Sequence, residues 1–214
     1  MSDELNLTGI RKRKSEMTAD ERVRDFQRKL YQKAKQEKEC RFHALYDKMY
    51  LPYVLEEAYR RVKRNAGSPG IDNKTFTQIE EEGLEQFLRN LQEELKNKIY
   101  RVSPVKRVMI PKANGKMRPL GIPTIKDRVA QMACKMIIEP IFEADFQDVS
   151  FGFRPEKKAG DAIERIREHL KEGACEVYDA DLYRKAATLS GWVCPLSKIM
   201  PCICQGQSRH NHRL

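Results

Sequence analysis

A single strand–turn–strand pattern lies between segments whose apolar residues recur at helical spacings. Residues 105–110 and 116–120 have strand character, and Asn114-Gly115 between them is the dipeptide that most strongly favours a tight β-hairpin. Because helical patterns lie on both sides of this hairpin, the sequence predicts an α+β fold.

Three segments before the hairpin are expected to be helical. Good helix formers dominate residues 18–48, and the apolar residues of segments 54–62 and 77–98 recur at the spacing of amphipathic helices. Between the last two, residues 65–72 are dense in Gly, Pro, Asn and Ser, which predicts a loop.

Two further helices and a strand are expected after the hairpin. Thr124 and Asp127 form a capping-box pattern, and the helix that follows is expected to run to Pro140. The next helix opens at Pro155 and ends at Gly173. It is expected to bury a stripe made of Ala162, Ile163, Ile166 and Leu170. Residues 175–182 are then expected to form a strand.

The net charge of the chain is concentrated around the hairpin. Lys and Arg number 41 against 31 Asp and Glu, a formal charge of +10, and residues 101–135 contain nine basic residues and one acid, Asp127. Nucleic acid is the natural counterpart of such a segment, because each Lys or Arg that neutralises a phosphate releases a condensed counterion. A solvated basic face is the alternative interpretation.

The sequence also indicates the cellular compartment of the protein. No run approaches the roughly 20 apolar residues that cross a bilayer, and the N-terminus has no signal-peptide core. We expect no membrane partner, a cytoplasmic location and six cysteines that remain thiols. Residues 1–16 end in four consecutive basic residues and are expected to be a flexible basic tail.

Two pairs of charged residues could take part in chemistry. Asp179 and Asp181 share one face of the expected last strand, where paired carboxylates can hold a divalent metal ion. Lys112 and Arg118 flank the hairpin turn and could clamp a polyphosphate. The alternatives are two surface aspartates on an edge strand and a hairpin tip that is basic for solubility.

The hairpin region carries a longer motif. Residues 110–124 are IPKANGKMRPLGIPT, and residues 127–131 are DRVAQ. Together they closely resemble the fingers motif of group II intron-encoded reverse transcriptases. Three further blocks resemble this family in order and spacing: residues 65–72 its N-terminal extension, residues 150–155 (SFGFRP) its second fingers block, and residues 178–182 the start of its palm motif. The resemblance covers roughly residues 45–182.

The resemblance implies the fold and domain order of a right-hand polymerase. After the tail, residues 17–100 would be the helical N-terminal extension, and residues 101–182 the fingers, with the basic hairpin, and the first palm strand. Residues 183–214 would be a non-homologous tail. The implied activity is that of an RNA-directed DNA polymerase and maturase in the cytoplasm of a bacterium or in an organelle.

The resemblance also implies roles for individual residues. Asp181 would be the catalytic aspartate that binds Mg²⁺, while Lys112 and Arg118 would bind the deoxynucleotide. The residues implied to contact the RNA/DNA template-primer are Asn65, Gly67, Gly70, Arg107, Phe151, Gly152, Phe153 and Arg154. Group II intron RNA would be the further partner.

The resemblance stops after Leu182. The family continues to Phe-Asp and later to Tyr-Ala-Asp-Asp, whereas residues 183–214 contain neither. We interpret this as a frameshift or insertion just past Asp181, and we expect the chain alone to be catalytically inactive, since two-metal transfer needs ligands for both ions. Two alternatives remain open: a non-catalytic remnant that binds intron RNA and assists splicing, and a polymerase completed by a downstream-encoded palm fragment.

Overall fold

The computed structural model describes residues 17–112 and 115–176. Its helices and strands are α1 (Ala19–Gln36), α2 (Tyr46–Met49), α3 (Pro52–Arg64), α4 (Phe76–Lys96), β1 (Lys106–Pro111), β2 (Met117–Ile122), α5 (Ile125–Asp145) and α6 (Ala159–Lys171). Helices combined with one small antiparallel sheet are compatible with the predicted α+β class.

The core lies between α1, α3 and α5, which pack against one another, and α4 adds to the side of α3. α3 buries one face because its apolar residues recur every three or four positions. Leu55 on this helix is only 1% exposed. The same hydrophobic core contains Val54, Ala58, Leu91, Val129 and Met136.

The first predicted helix is shorter than expected. α1 begins after the Thr18 cap and ends at Gln36, and a separate short helix, α2, follows at Tyr46–Met49. The residues after Gln36 are good helix formers, but residues 37–39 are Glu-Lys-Glu and offer no apolar side chain to the core. Since most helical stability in proteins comes from packing, propensity alone does not extend α1.

The helix predicted to stop at Pro140 instead continues to Asp145. A proline inside a helix has no N–H to donate to the carbonyl four residues earlier, which is that of Met136. Here the side chain of Gln27 on α1 donates to this carbonyl, with Nε2 2.8 Å from the oxygen. The prediction of the helix end was wrong because this partner comes from a distant part of the chain.

The prediction for α6 was correct at its end but wrong about its start and burial. The helix begins at Ala159, four residues after Pro155, and stops before Gly173. Its apolar stripe is exposed: Ile163, Ile166 and Leu170 keep 53%, 57% and 53% of their surface. Amphipathic spacing predicts which face of a helix is apolar, but not whether another element packs against that face. None of the described elements covers the apolar face of α6.

A buried ion pair fixes α3 internally. Glu57 is 1% exposed and receives hydrogen bonds from Arg61 Nε at 2.6 Å and Arg60 Nε at 2.7 Å. Burial alone would raise the pKa of Glu57, but the hydrogen bonds from the two arginines lower it below its ordinary value.

This lowered pKa gives a testable dependence of stability on pH. Because the folded-state pKa lies below that of the unfolded chain, the carboxylate stabilises the fold above pH 4.5, its ordinary value. This contribution is lost as the pH falls through the folded-state pKa. We expect the difference in unfolding free energy between wild type and Glu57→Gln, measured in urea, to be largest at pH 7 and to narrow below about pH 4.5.

The matched control for this experiment is Glu85→Gln, since Glu85 also pairs with an arginine but is 88% exposed. Exposed pairs contribute little. A Glu57→Gln difference that stays constant from neutral to acidic pH would contradict the prediction.

None of the described helices combines the length and the apolar character that a membrane crossing needs.

Candidate nucleic-acid interface

The basic hairpin formed by β1 and β2 confirms the predicted strand–turn–strand pattern. The strands pair antiparallel with Ile110 opposite Arg118 and Pro111 opposite Met117. Near the turn, the Lys112 N–H donates to the Lys116 carbonyl at 2.8 Å. Except for Ile122 at the end of β2, every strand residue is exposed, so the hairpin projects from the helical core.

The register of the hairpin brings Lys112 and Arg118 to one face. Arg118 lies opposite Ile110, and directly opposed residues point to the same side of a sheet. Lys112 follows Ile110 by two residues, so strand alternation places it on that side as well. Diagonal neighbours across two strands lie about 7–8 Å apart, which is within reach of one polyphosphate for two long side chains. Arg107 lies on the opposite face.

Four basic side chains of the hairpin have no acidic partner within the part of the chain that the structure describes. Lys106, Arg107, Lys112 and Arg118 form no ion pair there. Lys126, just beyond the hairpin, instead pairs with Glu94 at 2.6 Å. The unpaired charges make the hairpin a strongly positive surface that is available to a polyanion.

Asp127 joins the two ends of the hairpin to the helical core. Its carboxylate is completely buried and accepts hydrogen bonds from Tyr100 Oη at 2.5 Å and from the Ser103 N–H at 3.2 Å, both before β1. It also accepts from Thr124 Oγ1 at 2.7 Å, after β2. Burial, followed by the hydrogen bond to Asp127, raises the pKa of Tyr100, which stays protonated as a donor.

The 65–72 loop lies on the first turn of α5. Arg128 donates from Nη2 to the Ser68 carbonyl and from Nε to the Pro123 carbonyl at 3.0 Å. Gly70 is buried against this turn: a Cβ there would lie 2.7 Å from Thr124 Cα. The predicted loop is confirmed, and its position depends on a glycine that allows the two backbones to touch.

A groove of about 470 Å³ opens between this loop and α5. Asn65 and Gly67, two of the residues expected to contact the template-primer, lie at its edge, while Gly70 lies below the surface. The groove residues on α5 are Arg128, Gln131, Met132 and Lys135. Sequence reasoning missed the three polar ones, although their spacing of three and four residues places them on one helical face.

The residues of the SFGFRP segment lie in two different environments. Gly152 and Phe153 are exposed, and Phe151 is half-buried beneath Lys157, whose Nζ lies 5.6 Å from the ring centre. Arg154 is turned inward, with a side chain only 8% exposed.

Arg154 fastens its segment to the end of α5. Its Nη2 lies 2.5 Å from Glu143, and its Nη1 donates to the carbonyls of Gln147 and Ser150 at 2.8 and 2.9 Å. The guanidinium therefore has an internal partner in this structure, and its contact with a template stays a prediction.

The expected metal ligand, Asp181, lies outside the described residues, as do Asp179 and the rest of the expected strand from residue 177 onward. The first two residues of that expected strand, Cys175 and Glu176, are described and do not belong to a strand. Within residues 17–112 and 115–176, no three His, Cys, Asp or Glu side chains converge to form a metal site.

The chain is similar to several curated proteins. It is 40% identical over 154 residues to protein YkfC of Escherichia coli (strain K12), covering 70% of this chain and 40% of that protein. It is 37% identical over 129 residues to the group II intron-encoded protein LtrA of Lactococcus lactis subsp. cremoris, covering 59% of this chain and 21% of LtrA. It is 30% identical over 140 residues to the putative COX1/OXI3 intron 1 protein of Saccharomyces cerevisiae, covering 64% of this chain and 16% of that protein.

These relatives include intron-encoded proteins, one of them from a group II intron, which supports the resemblance found in the motifs. The chain spans well under half the length of each of the three. No family model matches it.

Proposed function

We propose that the chain is part of a group II intron-encoded reverse transcriptase and maturase, and that its described residues form an RNA-binding fingers region. The observation that carries this proposal is the exposed basic hairpin, in which Lys106, Arg107, Lys112 and Arg118 form no ion pair with a described residue. The similarity to LtrA supports the choice of intron RNA among polyanions.

The proposed roles of individual residues divide the surface between the nucleotide and the template-primer. Lys112 and Arg118, which share a face of the hairpin, bind the triphosphate of a deoxynucleotide. The template-primer lies against Arg107, the 65–72 loop and the exposed aromatic segment around Phe153. Such binding supplies positioning and charge neutralisation, which phosphoryl transfer requires.

Catalysis itself is proposed for Asp181, which would hold Mg²⁺ together with ligands that this chain does not supply. The carboxylate would contribute one ligand, and the ion would neutralise charge on the transferring phosphate. The alternative, a remnant that binds intron RNA and assists splicing without synthesis, uses the same hairpin and loop. RNA binding is therefore the step to test first.

The test is filter binding of a group II intron RNA by wild type and by the double variant Arg107→Ala/Arg118→Ala at several salt concentrations. We expect the variant to bind more weakly. Its plot of log K against log salt should be shallower by about 0.7–0.9 for each phosphate that the variant no longer neutralises. Equal binding by wild type and variant at all salt concentrations would contradict the proposal.

The control is Arg89→Ala/Arg167→Ala, which removes the same charge from α4 and α6, where both arginines pair with nearby glutamates. A general effect of net charge would weaken both double variants equally. An unrelated RNA of the same length separates intron recognition from general RNA binding.

A further inference from the structure

The first turn of α5, residues 124–128, holds two surface elements that the sequence separates by more than thirty residues. Asp127 receives hydrogen bonds from both ends of the basic hairpin, and Arg128 is bonded to the 65–72 loop. We call residues 124–128 the anchor turn. The two elements it holds are those for which RNA contact is proposed.

The hydrogen bonds that hold the hairpin to the helical core lie at its base. Its strand residues are exposed on both faces apart from Ile122, so little packing fixes the hairpin against the helices. At the base of the hairpin, Gly121 lies close to Val105, because a Cβ at Gly121 would be 2.9 Å from Val105 Cγ2. This close approach joins the two sides of the hairpin to each other and not to the helices. The hydrogen bonds of Asp127 join Tyr100 and Ser103, before the hairpin, to the helix after it, and Lys126 Nζ also lies 5.7 Å from the centre of the Tyr100 ring.

Burying a carboxylate costs free energy, because the charged group loses its contacts with water and needs hydrogen-bond donors in their place. Asp127 has three donors to its two oxygens, and they come from both sides of the hairpin. Hydrogen bonds are directional, so this arrangement favours one angle between the hairpin and α5. Apolar contacts of similar size are not directional and would define that angle less well.

We propose that Asp127 and Arg128 are positioning residues that hold the hairpin and the 65–72 loop as two arms of one clamp on a nucleic-acid strand. The inference rests on the proposed RNA-binding function. Two arms held at a fixed separation bind one ligand more tightly than two loose arms, since the second contact is intramolecular and no ordering cost is added.

The test joins a structural measurement to a binding measurement. Residual dipolar couplings are recorded for backbone amides of the hairpin and of α5 in wild type and in Asp127→Asn. We expect one alignment tensor to fit both elements in wild type, and two different tensors to be needed in the variant. One tensor in both proteins would overturn the proposal whatever the RNA binding shows.

The binding measurement is a double-mutant cycle on the same intron RNA. Arg107→Ala is expected to raise Kd by a certain factor in the wild-type background. In the Asp127→Asn background we expect this factor to be smaller by about twofold or more, which is the weakest coupling usual for residues of one network. In the Arg128→Gln background the effect of Arg107→Ala should be unchanged, while that of Asn65→Ala should shrink. Equal effects in all backgrounds would overturn the clamp.

The two failures can be told apart. If Arg107→Ala and Asn65→Ala leave Kd unchanged in wild type, the RNA-binding function fails and the clamp is overturned with it, even where the couplings show that Asp127 orients the hairpin. Should Asp127→Asn fail to fold by circular dichroism, Tyr100→Phe takes its place, since it removes one of the three donors and keeps the carboxylate.

Discussion

Replacing Leu55 with alanine is expected to lower the free energy of unfolding by about 2–5 kcal/mol, the range for a fully buried leucine whose removal leaves a cavity. Leu55 lies on α3, is 1% exposed and belongs to the core that α3 shares with α1 and α5. Urea denaturation followed by circular dichroism measures the change. A decrease below about 1 kcal/mol would mean that this core is not packed as described.

The matched control is Leu170→Ala, which deletes the same atoms from α6 at a position that is 53% exposed. Surface substitutions of this kind change stability by about 0.5 kcal/mol or less. A decrease as large as that of Leu55→Ala would show that the apolar stripe of α6 is covered in solution.

The second large effect is expected for Gly70→Ala. The added Cβ would lie 2.7 Å from Thr124 Cα and 2.8 Å from Thr124 N, so either the 65–72 loop or the anchor turn has to shift. Backbone atoms cannot move aside as a flexible side chain can. We expect a decrease of about 1–3 kcal/mol in unfolding free energy, the usual cost of forcing extra atoms into a packed site.

Gly152→Ala is the control for this substitution, because a Cβ at Gly152 meets no atom within 4 Å. Its stability should stay close to that of wild type or rise slightly, since alanine restricts the unfolded chain more than glycine does. If Gly70→Ala is as harmless as Gly152→Ala, the close approach of loop and helix is absent in solution.

Local patterns were sufficient to predict the elements that depend on neighbouring residues. The hairpin was predicted from Asn114-Gly115, and α3 and α4 were predicted from their apolar spacing. These predictions were correct, because each signal involves residues within a few positions of one another. The Thr124 cap was also predicted correctly, because its hydroxyl accepts from the N–H of Asp127 only three residues away.

Interactions between distant segments could not be predicted in this way. The partners that carry α5 past Pro140, bury Asp127 at the base of the hairpin and hold Ser68 against Arg128 come from other parts of the chain. One sequence signal for Asp127 was present, since it is the only acid in a basic segment. The exposure of α6 had no such signal, because a periodic stripe has the same sequence whether or not another element covers it.

The bond from Gln27 to the Met136 carbonyl also has a kinetic consequence. An isolated peptide with the sequence of α5 would lack one backbone hydrogen bond at Pro140, and the replacement comes from Gln27 on α1, 109 residues before Met136. The last turns of α5 therefore become stable when α1 docks, after a loop longer than a hundred residues has closed. Folding of this region is tied to a contact of high sequence separation, which slows it relative to a bundle of self-sufficient helices.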